Sequence, residues 1–154
     1  MTTMRSRQIL GFFLATSCLL LGVVLYVLFR PTTLQIFHWA DSLGLTESIS
    51  TLRYLVHGSD RYLPNLIIYS LPFALWISFY LLFVSVIWAG STSSIRFVWF
   101  WSIPIIAIAV ELAQGLHLLP GYFDPVDLVT IIFATILASL LNKFPKLRKG
   151  VKTS

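Results

Sequence analysis

Four long apolar runs, joined by polar segments, constrain this chain more than any other feature of its sequence. The first, residues 9–29, contains no charged side chain. A helix of that length spans about 31 Å, which matches the roughly 30 Å hydrocarbon core of a bilayer. The other runs cover residues 66–89, 97–118 and 126–141. The pattern predicts an all-α integral membrane protein, a four-helix bundle that forms one domain over residues 1–154.

The composition agrees with a membrane protein and excludes an ordinary soluble domain. Of the 154 residues, 57% are hydrophobic and 11% are charged, whereas soluble domains carry about 25% charged residues. The net charge of +5 does not indicate nucleic-acid binding, because the basic residues flank the apolar runs and form no single basic face. Anionic lipid headgroups are the better partners for these residues.

A cleaved signal peptide is the alternative interpretation of the first run. The segment before the single cysteine, Cys18, resembles a lipoprotein cleavage box, but alanine stands where leucine is expected three positions earlier. The apolar run then continues to Phe29, which a short signal core would not do. We therefore expect an uncleaved helix. A lone cysteine also excludes an internal disulfide.

The polar segment 31–62, between the first two runs, contains a candidate surface helix. Residues 47–57 place four aliphatic side chains on one helical face, namely Ile49, Leu52, Leu55 and Val56. This stretch is too short and too polar to cross a bilayer. The sequence predicts one short amphipathic helix that lies along the membrane surface between the first two transmembrane helices.

The distribution of charge predicts the orientation of the bundle. Four crossings place eight of the 11 lysines and arginines on the side of the two termini, including those of a basic tail over residues 143–154. The positive-inside rule then puts both termini in the cytoplasm. All acids and all histidines fall in the outer half; they are Asp41, Glu47, Asp60, Glu111, Asp124, Asp127, His38, His57 and His117.

Two carboxylates fall inside the apolar runs at similar depth. Counted from the basic residues at the inner boundary, helical rise places Glu111 and Asp127 roughly 22–24 Å up the bilayer. A carboxylate at the bilayer centre costs about 2.5–3.5 kcal/mol. Such a group must face protein or water, be paired, or be protonated. We expect the two groups to lie together, with Gln114, one turn after Glu111, able to donate a hydrogen bond to it.

This pair has two interpretations. It is either a polar pocket open to the outer leaflet, with Glu111 and Asp127 as ligands or acid–base groups, or a hydrogen-bonded clasp between the last two helices. Asp124 precedes a proline and suits either a site or a simple turn. The three histidines lack the close spacing of a metal site, and no glycine-rich phosphate loop or nucleophile elbow is present. No metal or cofactor is predicted.

The last two runs resemble the VanZ-like family of small bacterial membrane proteins. The matching residues are Glu111 and Gln114 on one helix, followed by Asp124 and Asp127 around the start of the next. Asn65 with Tyr69, four residues later, loosely fits a polar–tyrosine pair on an earlier helix of that family. The specific match covers about 17 residues, and the four-helix layout extends it over the chain.

The chain departs from the family pattern at several positions. Many members have arginine where Gly121 stands, asparagine at Ile131 and glycine at Ala134. The missing arginine removes a countercharge for the aspartates. The name-giving member is associated with resistance to the glycopeptide antibiotic teicoplanin. The resemblance therefore implies a cell-envelope role in the bacterial cytoplasmic (inner) membrane and supplies no reaction.

Three functions are consistent with these residues. The first is a non-enzymatic protein that binds a lipid or a lipid-linked envelope precursor, with Glu111, Gln114, Asp124, Asp127, Asn65 and Tyr69 as candidate binding residues. The second is an enzyme that uses Glu111 and Asp127 as acid and base on such a lipid. The third is a small transporter, which would need a homo-oligomer, because four helices without an internal repeat are few for a carrier.

Overall fold

A computed structural model gives the conformation of residues 2–56, 58 and 63–141. The predicted basic tail lies outside these residues, as do His57 and Arg61. Throughout the described ranges the regular structure is helical, without strands. The helices are α1 (Thr2–Phe29), α2 (Gln35–Ser42), α3 (Thr46–Leu55), α4 (Leu71–Ile87), α5 (Ile95–Gly115) and α6 (Pro125–Leu141), and a π-helical turn (Leu66–Ser70) leads into α4.

Three helical segments are long and apolar enough to cross a membrane, namely Gln8–Phe29, Leu66–Ile87 and Ile95–Gly115. The fourth apolar helix, α6, is shorter, with 17 residues. Large apolar side chains remain exposed on these helices, among them Phe13 on α1 and Phe133 on α6, both at 66%. Large exposed apolar surfaces of this kind are typical of helices that contact lipid or other proteins. The structure therefore agrees with the predicted all-helical membrane architecture.

α1 packs antiparallel against α4 along a stripe of small residues. A β-carbon on Gly11 would lie 2.7 Å from Val86, and one on Gly22 would lie 3.2 Å from the Pro72 carbonyl oxygen. Ala15, between the two glycines, is fully buried. Small residues at such positions let two helix backbones approach closely. Close packing of this kind favours helix association in lipid, where the hydrophobic effect does not act between helices.

α4, α5 and α6 enclose the apolar core. The core residues are Ala74, Ile77, Leu81, Val84, Phe100, Ala107, Ile131, Ala134 and Ala138. Pro104 inside α5 removes one backbone donor from that helix. One turn below it, the Tyr80 hydroxyl of α4 donates to the Trp99 carbonyl oxygen at 2.6 Å. This hydrogen bond links α4 to α5.

The segment between α1 and the π-helical turn contains two short helices where the sequence predicted one. α3 matches the predicted amphipathic helix, but α2 was not predicted. Leu52 and Leu55 are exposed, whereas Ile49 is half-buried. Arg53 holds α3 against α1, because its Nη1 donates to the carbonyl oxygens of Val27 and Arg30 at 2.7 and 2.8 Å. The α2–α3 hairpin thus covers the C-terminal end of α1.

Candidate functional site

Glu111 and Asp127 lie at the same end of the bundle. Glu111 is one turn before the C-terminal end of α5, and Asp127 is in the first turn of α6, with which α5 packs antiparallel. Glu111 is 8% exposed, and its carboxylate is within electrostatic range of both Asp127 and Asp124. The end of α5 and the start of α6 therefore place these acidic residues at one end of the bundle.

The two carboxylates are only partly satisfied by the protein. Glu111 Oε2 and Asp127 Oδ1 are buried, and neither accepts a hydrogen bond from any residue that the structure describes. The backbone N–H of Asp124 is directed at the Glu111 carboxyl group. A buried polar atom without a partner costs about 1–3 kcal/mol, and more when the group is charged. The site therefore carries two acceptor atoms that require a donor from elsewhere.

Asp124 caps the N-terminal end of α6. Its Oδ1 accepts a hydrogen bond from the Val126 N–H at 2.8 Å, and its carbonyl oxygen accepts one from the Leu128 N–H at 3.3 Å. Pro125 follows at the first helical position, where its missing N–H is harmless. Asp124 thus has a structural role that accounts for this residue type, and it contributes its backbone N–H and its charge to the surroundings of Glu111.

The sequence predicted that Gln114 could donate a hydrogen bond to Glu111, but the structure shows a different partner. Its Nε2 instead donates to the Pro120 carbonyl oxygen at 3.4 Å. The Gln114 side chain extends to the loop that follows α5, and its amide lies against Gly121. Gln114 therefore holds the loop that follows α5. No arginine could replace Gly121 without displacing this amide, because a β-carbon there would overlap it.

The loop leaves α5 through a Schellman motif. The Leu118 N–H donates to the Ala113 carbonyl oxygen at 2.8 Å, and the His117 N–H donates to the Gln114 carbonyl oxygen at 3.0 Å. His117 occupies the left-handed position of this motif with φ of 58°, where glycine is usual. Sequence patterns did not indicate this strained position, because histidine is not a typical residue there.

Asn65 immediately precedes the π-helical turn, and Tyr69 lies within it. Asn65 is exposed. The Tyr69 ring faces Arg30, whose guanidinium carbon is 5.2 Å from the ring centroid and 5.5 Å from that of Tyr26. The structure therefore connects Tyr69 to the end of α1. Arg30 is the interaction partner that sequence spacing could not identify.

The chain supplies no countercharge to the carboxylates among the residues that the structure describes. Arg30 stacks on two rings and Arg53 caps α1, while Arg96 lies at the opposite end of α5 and donates to the Ser91 carbonyl oxygen at 2.6 Å. The described residues also contain no cluster of three or more potential metal ligands among histidine, cysteine and the acids. The arrangement suits a ligand that donates hydrogen bonds, such as an ammonium, amide or hydroxyl group.

Three comparisons with known proteins give no relative for this chain. No protein-family model, curated protein or solved structure matches it. The features that define the candidate site are two unsatisfied acceptors, a capped helix start and a loop held by Gln114.

Proposed function

We propose that this chain is a multi-pass protein of the bacterial cytoplasmic membrane whose Glu111–Asp127 pocket binds the headgroup of a lipid or a lipid-linked envelope precursor. The four matching residues of the VanZ-like pattern support a role in the cell envelope, including resistance to glycopeptide antibiotics. In this proposal all four apolar helices cross the bilayer and both termini are cytoplasmic.

The observation that carries the proposal is the pair of buried, unpartnered oxygens, Glu111 Oε2 and Asp127 Oδ1. A clasp between α5 and α6 would supply these atoms with donors, either from neighbouring groups or from a proton shared between the two carboxyl groups. Among the described residues no side-chain donor or backbone N–H reaches either atom. Ionisable groups inside membrane segments are costly and usually serve function. A headgroup that carries N–H or O–H donors would satisfy both atoms on binding.

The position of the pocket favours the outer leaflet. Asp41, Glu47, Asp124 and His117 lie at the same end of the bundle as the carboxylate pair, whereas Arg96 lies at the other. With the basic tail in the cytoplasm, the acidic end faces outward. Headgroups of the outer leaflet and of envelope precursors are exposed on that side. The pocket would then be reached laterally from the membrane or from the exterior.

Deletion and complementation test the proposal in the cell. We expect Glu111→Gln and Asp127→Asn, expressed at normal levels, to fail to restore the resistance to envelope antibiotics that the deletion strain has lost. Glu47→Gln is the matched control, because Glu47 is the other glutamate of the chain and is exposed on α3. Full complementation by Glu111→Gln would remove the pocket from the account.

Incubation of the purified protein with lipid vesicles separates binding from catalysis. Two neighbouring carboxylates also suit general acid–base chemistry. The electrostatic interaction between Glu111 and Asp127 is the observation that favours this second function. A binding protein leaves the composition of purified vesicles unchanged. An enzyme would convert a lipid of those vesicles, and Glu111→Gln would abolish the conversion.

A further inference from the structure

A cavity of about 560 Å³ lies between the C-terminal end of α1 and the α2–α3 hairpin. Neither Glu111 nor Asp127 lines it, so it is separate from the carboxylate pair. Its volume falls in the range of small-ligand sites, roughly 300–1,000 Å³. One part of its wall is apolar, with Leu28, Phe29 and Ile49, and another carries the guanidinium of Arg53.

Arg53 is fixed in this wall with part of its donor capacity unused. Both hydrogen bonds to the end of α1 come from Nη1, and the guanidinium carbon lies 5.6 Å from the centroid of the Phe37 ring. A guanidinium group has about five N–H donors in a planar fork. Those on Nε and Nη2 meet no acceptor within the described residues. A positioned arginine with free donors is suited to binding an anionic oxygen group.

The acid that lines the cavity in the described part of the chain does not pair with Arg53. Asp41 also lines the cavity, but its Oδ1 accepts a hydrogen bond from the Thr46 hydroxyl at 2.7 Å, and the side chain is exposed. In the described part of the chain Asp41 forms no ion pair with Arg53. Among the described residues, no acid of the cavity wall therefore competes with a ligand for the remaining donors of Arg53.

The apolar run of α1 ends at Phe29, which lines the cavity together with Leu28. If α1 crosses the bilayer, this end lies at the level where acyl chains meet phosphate groups. We infer that the cavity binds the phosphate diester of a membrane phospholipid. Arg53 donates to the phosphate oxygens through Nε and Nη2, and Leu28 and Phe29 contact the glycerol and the upper acyl chain. Arginine–phosphate pairs of this kind are frequently bidentate.

Native mass spectrometry of the purified full chain in detergent tests this inference. The probes are phosphatidylglycerol, diacylglycerol and glycerol 3-phosphate, so that phosphate and acyl chains are varied separately. Ser50→Trp fills the cavity, because Ser50 lines it and lies one residue from Ile49 on α3. Ser48→Trp is the matched control on the same helix, at an exposed position that does not line the cavity.

We expect Ser50→Trp to weaken phosphatidylglycerol binding at least tenfold and Ser48→Trp to leave it unchanged. Arg53→Lys keeps the charge but loses the planar fork, and we expect it also to weaken binding, with unchanged helical content by circular dichroism as the folding check. Equal binding by the Ser50→Trp and Ser48→Trp variants would overturn the inference. So would diacylglycerol binding as tightly as phosphatidylglycerol. Equal binding of glycerol 3-phosphate would overturn the assignment to a lipid.

Discussion

The side-chain amide of Gln114 occupies the space that a β-carbon on Gly121 would need. Gly121 has φ of 135°, a conformation that residues with side chains rarely adopt. The same amide donates to the neighbouring Pro120 carbonyl oxygen. Gln114 and Gly121 together therefore fix the loop that follows α5.

Gly121→Ala should destabilise the protein by about 1–3 kcal/mol, because the added methyl group must displace Gln114 in addition to straining the backbone. Gly44→Ala is the control, since Gly44 also has positive φ, 71°, but nothing lies within 4 Å of its β-carbon position. Unfolding free energies in detergent measure both changes. Equal losses for the two variants would show that Gln114 does not pack against Gly121.

His117→Gly should stabilise the protein by about 0.5–1 kcal/mol. The left-handed conformation of His117 costs a residue with a β-carbon roughly 1–2 kcal/mol, and glycine avoids this cost. The net stabilisation is smaller, because glycine also increases the conformational entropy of the unfolded chain. The same substitution at His38, inside α2, should destabilise by about 1 kcal/mol. Thermal unfolding of the two variants gives the comparison, and a loss of stability for His117→Gly would contradict the assigned backbone conformation.

Gly22→Ala should loosen the contact between α1 and α4. A β-carbon at this position would lie 2.6 Å from Trp76 Nε1 and 3.2 Å from the Pro72 carbonyl oxygen. Overpacking of this kind costs about 1–3 kcal/mol. Val24→Ile also adds one methyl group to α1, but at a residue that is 49% exposed, and should change stability little. If the two variants unfold alike, the small-residue stripe does not form the interface.

The helical architecture could be predicted from apolar run length, because a bilayer fixes how long such a run must be. The predicted runs 66–89, 97–118 and 126–141 correspond to the π-helical turn with α4, to α5 and to α6. α2 was missed because its eight residues give too short a pattern to separate a helix from a loop. The exact ends of α5 and α6 depend on capping by Leu116 and Asp124.

The candidate site could be predicted only in part. Spacing along two antiparallel helices placed Glu111 and Asp127 at one level, because helical rise is regular. The direction of the Gln114 side chain depends on where the loop places the Pro120 carbonyl oxygen. Helical periodicity in the sequence does not predict the position of that loop. The same holds for Arg53, whose contacts with Val27 and Arg30 join residues more than 20 positions apart in sequence.

The most direct test of the carboxylate pocket is phosphatidylethanolamine binding to the purified protein, measured in a double-mutant cycle. The ethanolamine ammonium carries about three N–H donors. We expect Glu111→Gln and Asp127→Asn each to weaken this binding about tenfold. The double variant should lose less than the two single losses combined, because both groups contact one ligand. Binding by Glu111→Gln as tight as that of the Glu47→Gln control would contradict it.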